Sequence, residues 1–242
     1  MKLYFLMAAL LMLMPADGFA QDYETGSNGA NPPISYKFNN PELTFQRLKT
    51  KDAKVELKKN MLELESKKKG RYVVAVSNIP DANPRNADIE YSVPLKFSSF
   101  DDKHLSGLVF DYRNNDNFQA FLLDKKYYYY VVFRDGDMSI ESKSAYKAKR
   151  KFGIIAPGIK IERNNISFFI DGMEMGNANL ARKLKSGKYG FFTNNESKLY
   201  ALGQMFFSVN PYDDDEYNED EDEDDDSDRR SRRRRSYDDD DD

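Results

Sequence analysis

Short apolar and aromatic runs recur between His104 and Val209, and turns rich in Asn, Asp and Gly separate them. Several of these runs alternate apolar and polar residues, which is the two-residue period of a β strand with one buried face. We find no convincing 3.6-residue helical period between them. The pattern therefore predicts antiparallel strands joined by tight turns.

The same pattern extends towards the N-terminus. Closely spaced strands without helices between them form packed sheets, so we expect an all-β, two-sheet antiparallel sandwich. Residues 41–51 fit either a short helix or an irregular crossing. The strand candidates are Ile34–Phe38, Lys54–Leu57, Met61–Ser66, Tyr72–Val76, Ile89–Phe97, Leu105–Tyr112, Phe118–Leu123, Tyr127–Arg134, Met138–Glu141, Gly158–Glu162, Ile166–Ile170, Tyr189–Thr193 and Leu202–Val209.

Turn residues support this phasing. Asp135-Gly136 and Asp171-Gly172 are pairs that tolerate the positive φ angles of two-residue hairpins. The clearest hairpin covers residues 161–175. Within it Phe168 shares an apolar face with its neighbours two residues away, whereas Phe169 points to the opposite, mixed face.

Five segments carry a family resemblance: GLVFDYRNNDNF, FLLDKKYYYYVVFRDGD, IKIERNNISFFIDGMEMG, SGKYGFFTNNES and QMFFSV. Over residues 35–209 the chain resembles the concanavalin A-like lectin/glucanase superfamily, in particular its laminin-G-like and 3-keto-disaccharide hydrolase-type modules. The resemblance implies a jelly-roll sandwich whose concave face or rim commonly carries a carbohydrate or protein site. This fold hosts lectins, hydrolases and adhesion modules, so the resemblance leaves the function open.

The chain departs from the superfamily pattern in its aromatic residues. Relatives usually carry a Trp-containing strand between Ala148 and Ile161, whereas this chain has no Trp among its 242 residues. It has 17 Phe and 16 Tyr instead. Any surface that stacks against a sugar ring must therefore be built from Tyr or Phe.

The N-terminus has the pattern of a secretory signal peptide. Lys2 precedes an apolar run from Leu3 to Met14, and small residues at positions 18 and 20 indicate cleavage before Gln21. The run is shorter than the roughly 20 residues of a spanning helix, so we expect no membrane span in the mature chain. The prediction is a secreted, periplasmic or otherwise extracytoplasmic protein. The absence of Cys excludes a disulfide framework.

The remaining chain divides by composition. Residues 21–33 are polar and rich in Gly, Asn and Pro, which predicts a linker, and residues 34–210 carry the strand pattern. Residues 211–242 predict a disordered tail, because the stretch from Asp213 holds 18 acidic residues, six arginines and almost nothing apolar.

The tail makes the charge distribution strongly asymmetric. Its net charge of −12, subtracted from the chain's −4, leaves +8 for the remainder. Three roles fit: an electrostatic mask over the basic sandwich, a docking site for cations or a protein partner, or a solubility element. We expect no nucleic-acid partner, since carboxylates flank the arginines of an exported chain.

A run of four tyrosines is the candidate binding feature. On a strand, Tyr127 and Tyr129 share one face and Tyr128 and Tyr130 share the other. One pair should enter the core. The other pair either stacks on a ligand at the surface or is covered as well.

A turn of hard oxygen donors is the candidate metal feature. Asp111, Asn114, Asn115 and Asp116 cluster within six residues and carry the ligand type that Ca²⁺ prefers. An ordinary Asn/Asp hairpin turn has the same composition.

Catalytic patterns are weak. Retaining glucanases of the superfamily carry a Glu-x-Asp-x-Glu strand whose two catalytic carboxylates lie about 5 Å apart. Here Asn86 occupies the nucleophile's position before Asp88 and Glu90, and an amide cannot act as that nucleophile. Asp88 and Glu90 should therefore face solvent. His104, the single histidine, precedes a strand and is expected to be exposed or to cap it.

The sequence favours an exported, non-catalytic recognition module for a glycan or surface polymer. A 3-keto-glycoside or glycoside hydrolase remains an alternative on the resemblance alone. A structural or adhesion protein acting through its acidic tail is a third.

Overall fold

The computed structural model describes residues 34–79, 82, 87–98, 101–147 and 153–211. All regular secondary structure in these residues is β strand, so the all-β prediction is confirmed. The expected signal peptide, the linker and the tail from Asp213 onwards lie outside the described residues. The described part of the chain contains no helix long and apolar enough to cross a membrane.

Six antiparallel strands form what we term the central sheet. In spatial order they are β11 (Asp137–Ala145), β10 (Tyr127–Arg134), β9 (Asn117–Leu123), β8 (Ser106–Asn114), β16 (Lys188–Asn194) and β5 (Tyr72–Asn78).

A second set of six strands forms the facing sheet, which packs against the central sheet. Its spatial order is β1 (Ile34–Lys37), β18 (Gln204–Pro211), β6 (Ala87–Ser92), β13 (Pro157–Glu162), β14 (Asn165–Ile170) and β15 (Met173–Asn179).

The last six strands form the side sheet. They are β12 (Ile154–Ile155), β7 (Leu95–Phe97), β17 (Lys198–Leu202), β4 (Met61–Ser66), β3 (Ala53–Lys58) and β2 (Leu48–Lys49).

The facing and side sheets are two arms of one bent sheet. Three strands of the side sheet (β7, β12, β17) adjoin three of the facing sheet (β6, β13, β18) along the chain, in the same neighbour order. The bends lie at Pro94, Ala156 and Gly203, where Gly203 has a φ of 72°. Backbone bonds bridge the bends, for example Leu202 N to Pro94 O at 2.9 Å. Three hydrogen-bonded sheets thus occur where two were predicted, because a bend interrupts one ladder.

Alternating side chains build the core between the sheets. Phe168 on β14 is fully buried, as its predicted phase requires, and Phe169 on the other face is partly exposed. The Phe168 ring lies 5.1 Å from Phe121 and 5.5 Å from Tyr130, both of the central sheet. Ring contacts at these centroid distances join the two sheets through aromatic packing.

Residues 41–47 form an irregular crossing rather than a helix, and the short strand β2 follows it. Leu43 and Phe45 are buried there, and their neighbours are exposed. The Phe45 ring lies 6.0 Å from Phe191 of β16. The crossing therefore adds alternate apolar side chains to the core without forming a full strand.

Candidate functional site

The central sheet is apolar on both faces. One face belongs to the core shared with the facing sheet, and the opposite face forms a separate cluster that we term the aromatic face. Its central side chains are buried and those at its edges are partly exposed. The buried members are Val109, Phe118, Ala120, Leu122, Tyr129, Val131, Phe133 and Phe192, and the partly exposed ones are Tyr72, Val74, Val76, Leu105, Tyr112 and Tyr127.

The four-tyrosine run on β10 is divided between the two faces. Tyr128 and Tyr130 lie in the core, which rules them out as a surface platform, although the sequence left either pair open. Tyr127 and Tyr129 lie on the aromatic face. Tyr129 is 8% exposed and Tyr127 is half-buried, so Tyr127 presents the accessible ring of the pair.

The two core tyrosines have structural partners. Tyr128 Oη donates to the carbonyl of Met175 at 3.1 Å, beside Gly176, where a Cβ would lie 2.6 Å from that hydroxyl. Tyr130 Oη donates to Gln119 and accepts a bond from Ala181 N at 2.9 Å. Burial raises the pKa of Tyr130 to about 12. Both hydroxyls thus hold β15 and the segment after it against the central sheet.

Asp124 organises the turn from which Tyr127 starts. This carboxylate is 1% exposed. Its Oδ1 accepts bonds from Lys126 N at 2.6 Å and Tyr127 N at 2.7 Å, and its Oδ2 accepts one from Tyr129 Oη at 2.6 Å. The Asp124 carbonyl accepts a further bond from Tyr146 Oη at 2.7 Å. One buried residue therefore fixes the turn, the start of β10 and the Tyr129 ring.

Lys143 adds a cation to this tyrosine pair. Its Nζ lies 4.2 Å from the centre of the Tyr127 ring and 5.2 Å from that of Tyr129, which is cation–π geometry. The placement follows from register, since Lys143 of β11 lies directly opposite Tyr129. Burial, followed by the bond to Asp124, raises the pKa of Tyr129, so its hydroxyl stays protonated at neutral pH.

Exposed apolar side chains continue the aromatic face along the sheet edge. Met138 and Ile140 of β11 lie opposite Phe133 and Val131 of β10 and are 43% and 50% exposed. Directly opposed residues of an antiparallel pair point to the same side of the sheet. The accessible part of the aromatic face therefore runs from Tyr127 along β11.

The β8–β9 hairpin binds two tyrosines of the aromatic face. Tyr72 Oη donates to the Asn115 carbonyl at 2.9 Å, and Tyr112 Oη donates to Asn115 Oδ1 at 2.8 Å. Partial burial, with nearby Asp116, raises the pKa of both tyrosines. Asn115 thus anchors two rings.

Three of the four candidate calcium ligands, Asp111, Asn114 and Asn115, direct side-chain oxygens at protein partners, and the calcium site stays a prediction. Asp111 is 1% exposed and is directed at the loop 182–186, with its Oδ2 3.0 Å from Arg182 Nε. Asn114 Oδ1 accepts bonds from Asp116 N and Asn117 Nδ2 inside the hairpin. Within the described ranges, no three His, Cys, Asp or Glu side chains are grouped to hold a metal.

Asp111 instead anchors the loop between β15 and β16. Its Oδ1 accepts bonds from Lys185 N at 2.7 Å and Ser186 N at 3.1 Å, and its Oδ2 accepts one from Gln119 Nε2 at 3.2 Å. The residue has a φ of 46°, at the irregularity that interrupts the β8–β9 ladder. That bulge turns the carboxylate towards the loop.

The residues considered for catalysis lie on different sheets, with Asp88 and Glu90 on the facing sheet and His104 before β8 of the central sheet. Asp88 and Glu90 are half-buried on the outer face of the facing sheet, while their neighbours Ile89 and Tyr91 are fully buried. Asp88 Oδ1 accepts a bond from Arg163 N at 3.2 Å. His104 Nδ1 lies 2.6 Å from Asp101 Oδ1, close to the start of β8. Asn86 lies outside the described residues.

No protein-family model and no curated protein sequence matches the chain. A β-glucanase from Bacillus licheniformis is similar in structure at a TM-score of 0.52 and 11% identity, over 73% of this chain and 98% of the other. The fold is a concanavalin A-like jelly roll.

Two further solved structures resemble this jelly roll. A protein of unknown function from Shewanella oneidensis MR-1 has a TM-score of 0.50 and 12% identity, over 74% of this chain and 86% of that one. The carbohydrate binding module CBM66 from Bacillus subtilis matches 73% of this chain and 92% of its own at a TM-score of 0.36, too low to support an argument. Identities of this size show the fold alone.

Two residues of the jelly roll's candidate site were missed by the sequence analysis. Asp124 precedes the four-tyrosine run within the turn Asp124-Lys125-Lys126, and an Asp that opens a turn commonly accepts a backbone bond two residues on. That signal was available. Lys143 carries no local signal, because its position over Tyr127 depends on the pairing of β10 with β11.

Proposed function

We propose that this protein is an exported, non-catalytic recognition module that binds a glycan or surface polymer at the aromatic face, beside Tyr127 and Tyr129. The observation that carries the proposal is the half-buried Tyr127 ring, held next to Tyr129 with Lys143 Nζ 4.2 Å from its centre. A partly exposed aromatic ring suits contact with the apolar part of a sugar, and the neighbouring cation suits a polar substituent.

Preorganisation supports this proposal. The Tyr127 backbone and the Tyr129 hydroxyl are both bonded to the buried Asp124. A ligand that stacks on Tyr127 therefore orders little of the protein on binding. Recognition surfaces gain affinity when their side chains are already fixed in the bound geometry.

The state of the buried carboxylates supports a non-catalytic role. Glu63, Asp111 and Asp124 are the buried acidic residues of the described ranges. Glu63 is paired with two lysines, Asp111 with Arg182, and Asp124 is bonded to Tyr129. A general acid or base must reach the reacting atoms of a substrate, and these contacts direct the buried carboxylates at protein partners instead.

Tyr127→Ala tests the proposal, with Tyr200→Ala as the matched control. Tyr200 is also half-buried but lies on β17 of the side sheet. A neutral and an acidic glycan array would first identify ligands of the full chain. Tyr127→Ala should then raise Kd by about tenfold, which corresponds to about 1.4 kcal/mol of lost stacking.

The control decides how a loss of binding is interpreted. Tyr200→Ala should bind as the parent protein does. If both variants bind equally well, or if the array shows turnover of a glycan instead of retention, the recognition proposal is wrong. Turnover would favour the glycoside hydrolase alternative.

A further inference from the structure

One end of the central sheet collects exposed basic side chains from four loops and from the end of β11. At this end β5, β8 and β10 begin and β9, β11 and β16 end, as their antiparallel pairing requires. We term these side chains the basic rim. They are Lys67, Lys68, Lys69, Arg71, Lys103, Lys125, Lys126, Lys143 and Lys147, and all nine are exposed.

Carboxylates offset only part of this charge. Among the residues that the structure describes, the exposed acids at this end are Asp101, Asp102 and Glu196. Asp102 pairs with Lys126, and Asp101 is bonded to His104. Nine cations thus face three exposed carboxylates, which leaves a strongly positive edge.

The opposite end of the same sheet carries a smaller excess of positive charge. Among the described residues, its exposed acids are Asp116, Asp135 and Asp137, and its exposed basic residues are Arg113, Arg134, Lys183, Lys185 and Lys188, an excess of two cations against six at the rim. The net positive charge of the sheet is therefore concentrated at one end rather than spread evenly. A concentrated charge raises the local potential that attracts an oppositely charged ligand.

Specific contacts hold the rim loops together. Asn195 Oδ1 accepts a bond from Gly70 N at 2.9 Å, and Asn195 Nδ2 donates to the Lys103 carbonyl at 2.9 Å. Tyr146 N donates to the Lys126 carbonyl at 3.1 Å. Together with the Lys126–Asp102 pair, these bonds link the turn at 67–71, the segment 101–104 and the turn at 124–126. The cations are thus displayed from a connected framework.

The rim adjoins the aromatic face at two strands, β5 and β10. Tyr72 follows Arg71 and stacks on Phe192 at 5.4 Å, while Tyr127 follows Lys126 and lies under Lys143. Six strands at about 4.8 Å spacing make the rim about 24 Å wide. This width suits a polymer with repeated charges better than one small anion.

We infer that the basic rim is the docking site for an anionic glycan, a polymer bearing carboxylate or sulfate groups, whose sugar rings contact the aromatic face at Tyr127. This inference rests on the proposed function and specifies its ligand class. The adjoining rings favour a glycan over other polyanions, because lysines alone do not distinguish a polysaccharide from a nucleic acid or an anionic membrane.

The test compares two charge reversals in the full chain. Lys68→Glu/Lys69→Glu changes the rim, and Lys185→Glu/Lys188→Glu changes net charge equally at exposed positions away from it. The probes are polygalacturonate for carboxylate and chondroitin sulfate for sulfate, with neutral dextran, single-stranded DNA and phosphatidylglycerol vesicles as comparisons. Circular dichroism and thermal melting establish that each variant is folded. Lys103→Glu provides a second rim variant from another loop.

We expect the rim variants to raise Kd for an acidic glycan by about tenfold, and the control pair to change it less than about twofold. Binding should weaken between about 0.01 M and 0.1 M salt, where the Debye length falls from about 30 Å to about 10 Å. The acidic probe that binds more tightly shows whether the rim prefers carboxylate or sulfate groups on the glycan.

Distinct outcomes separate this inference from the proposed function. If the rim and control variants lost the same affinity for an acidic glycan, net charge alone would matter. That result would overturn the inference that the rim is the docking site. DNA or vesicles bound as tightly as the acidic glycans would overturn the glycan class. The protein could also bind dextran in a way that depends on Tyr127 but not on Lys68 and Lys69. That result would support the recognition function and refute the basic rim as a docking site.

Discussion

The Tyr129 hydroxyl donates a 2.6 Å hydrogen bond to Oδ2 of Asp124, which is itself buried. Because the other carboxylate oxygen of Asp124 accepts two backbone bonds, a single side chain couples the β9–β10 turn to the aromatic face. The position of Tyr127 therefore depends on a buried acid that a ligand does not need to touch. Binding and stability should respond together when this acid is altered.

Asp124→Ala should destabilise the protein by about 1–3 kcal/mol, since it leaves a buried hydroxyl and two backbone donors without their acceptor. Urea denaturation measures this loss. Tyr129→Phe removes only one of these bonds and should cost less. A larger effect of Tyr129→Phe than of Asp124→Ala would contradict this order.

Phe168→Ala should cost about 3–5 kcal/mol, the range for emptying a buried aromatic site, because its ring contacts Phe121 and Tyr130 across the sandwich. Phe169→Ala on the partly exposed face is the matched control and should cost clearly less. Denaturant unfolding of both variants provides the comparison. Equal losses would show that burial does not differ between the two faces of β14.

Asp111→Ala should destabilise the protein by about 3–5 kcal/mol, because it leaves the largely buried Arg182 without its carboxylate. Arg182→Met in the same chain should recover part of the loss by removing the unpaired charge. A double-mutant cycle on unfolding free energies checks this coupling. Strict additivity of the two substitutions would mean that the pair does not interact.

Calcium should leave the melting temperature unchanged. Asp111 is bonded to Arg182, and Asn114 accepts bonds within its own turn, so these oxygens are directed to protein partners. A ligand that binds the native state raises its apparent stability with concentration. Thermal melts with millimolar CaCl₂ and with EDTA compare the two conditions, and a rise in melting temperature with calcium would contradict this expectation and support the calcium site.

Alkaline pH should unfold the protein. Burial raises the pKa of Tyr129, Tyr130 and Tyr189 in the folded state, so the folded protein retains protons that the unfolded chain releases. Stability is then unaffected below the ordinary tyrosine pKa of about 10 and falls as pH rises above it. Circular dichroism and tyrosinate absorbance should change together above that pH. Gradual ionisation without unfolding would contradict the burial of these hydroxyls.

Local alternation predicted most of the central strands. In β10 and β14 the two-residue period correctly assigns residues to the two faces of the sheet, because successive side chains of a strand point to opposite faces. The missed elements have weak local patterns. β15 (Met173–Asn179) contains two Asn and a Gly, and it forms a strand because β14 supplies a partner for its backbone.

The candidate site was also only partly predictable from local sequence. The sequence separated Tyr127 and Tyr129 from Tyr128 and Tyr130 but could not assign either pair to the core, since both faces of β10 are apolar. It grouped Asp111 with Asn114 because they are close along the chain. Their partners proved to be different, because Asp111 is bonded to a loop more than 70 residues away.

The apolar alternation, turn residues and charge distribution established an all-β sandwich with a basic body, since each follows from local chemistry along the chain. Only the tertiary structure decided which tyrosines face away from the core, what neutralises Asp111, and that Lys69, Lys103 and Lys126 meet at one end of one sheet. These relationships depend on pairing between strands far apart in sequence. Such pairing is selected by the packing of the whole sandwich, which no short segment encodes by itself.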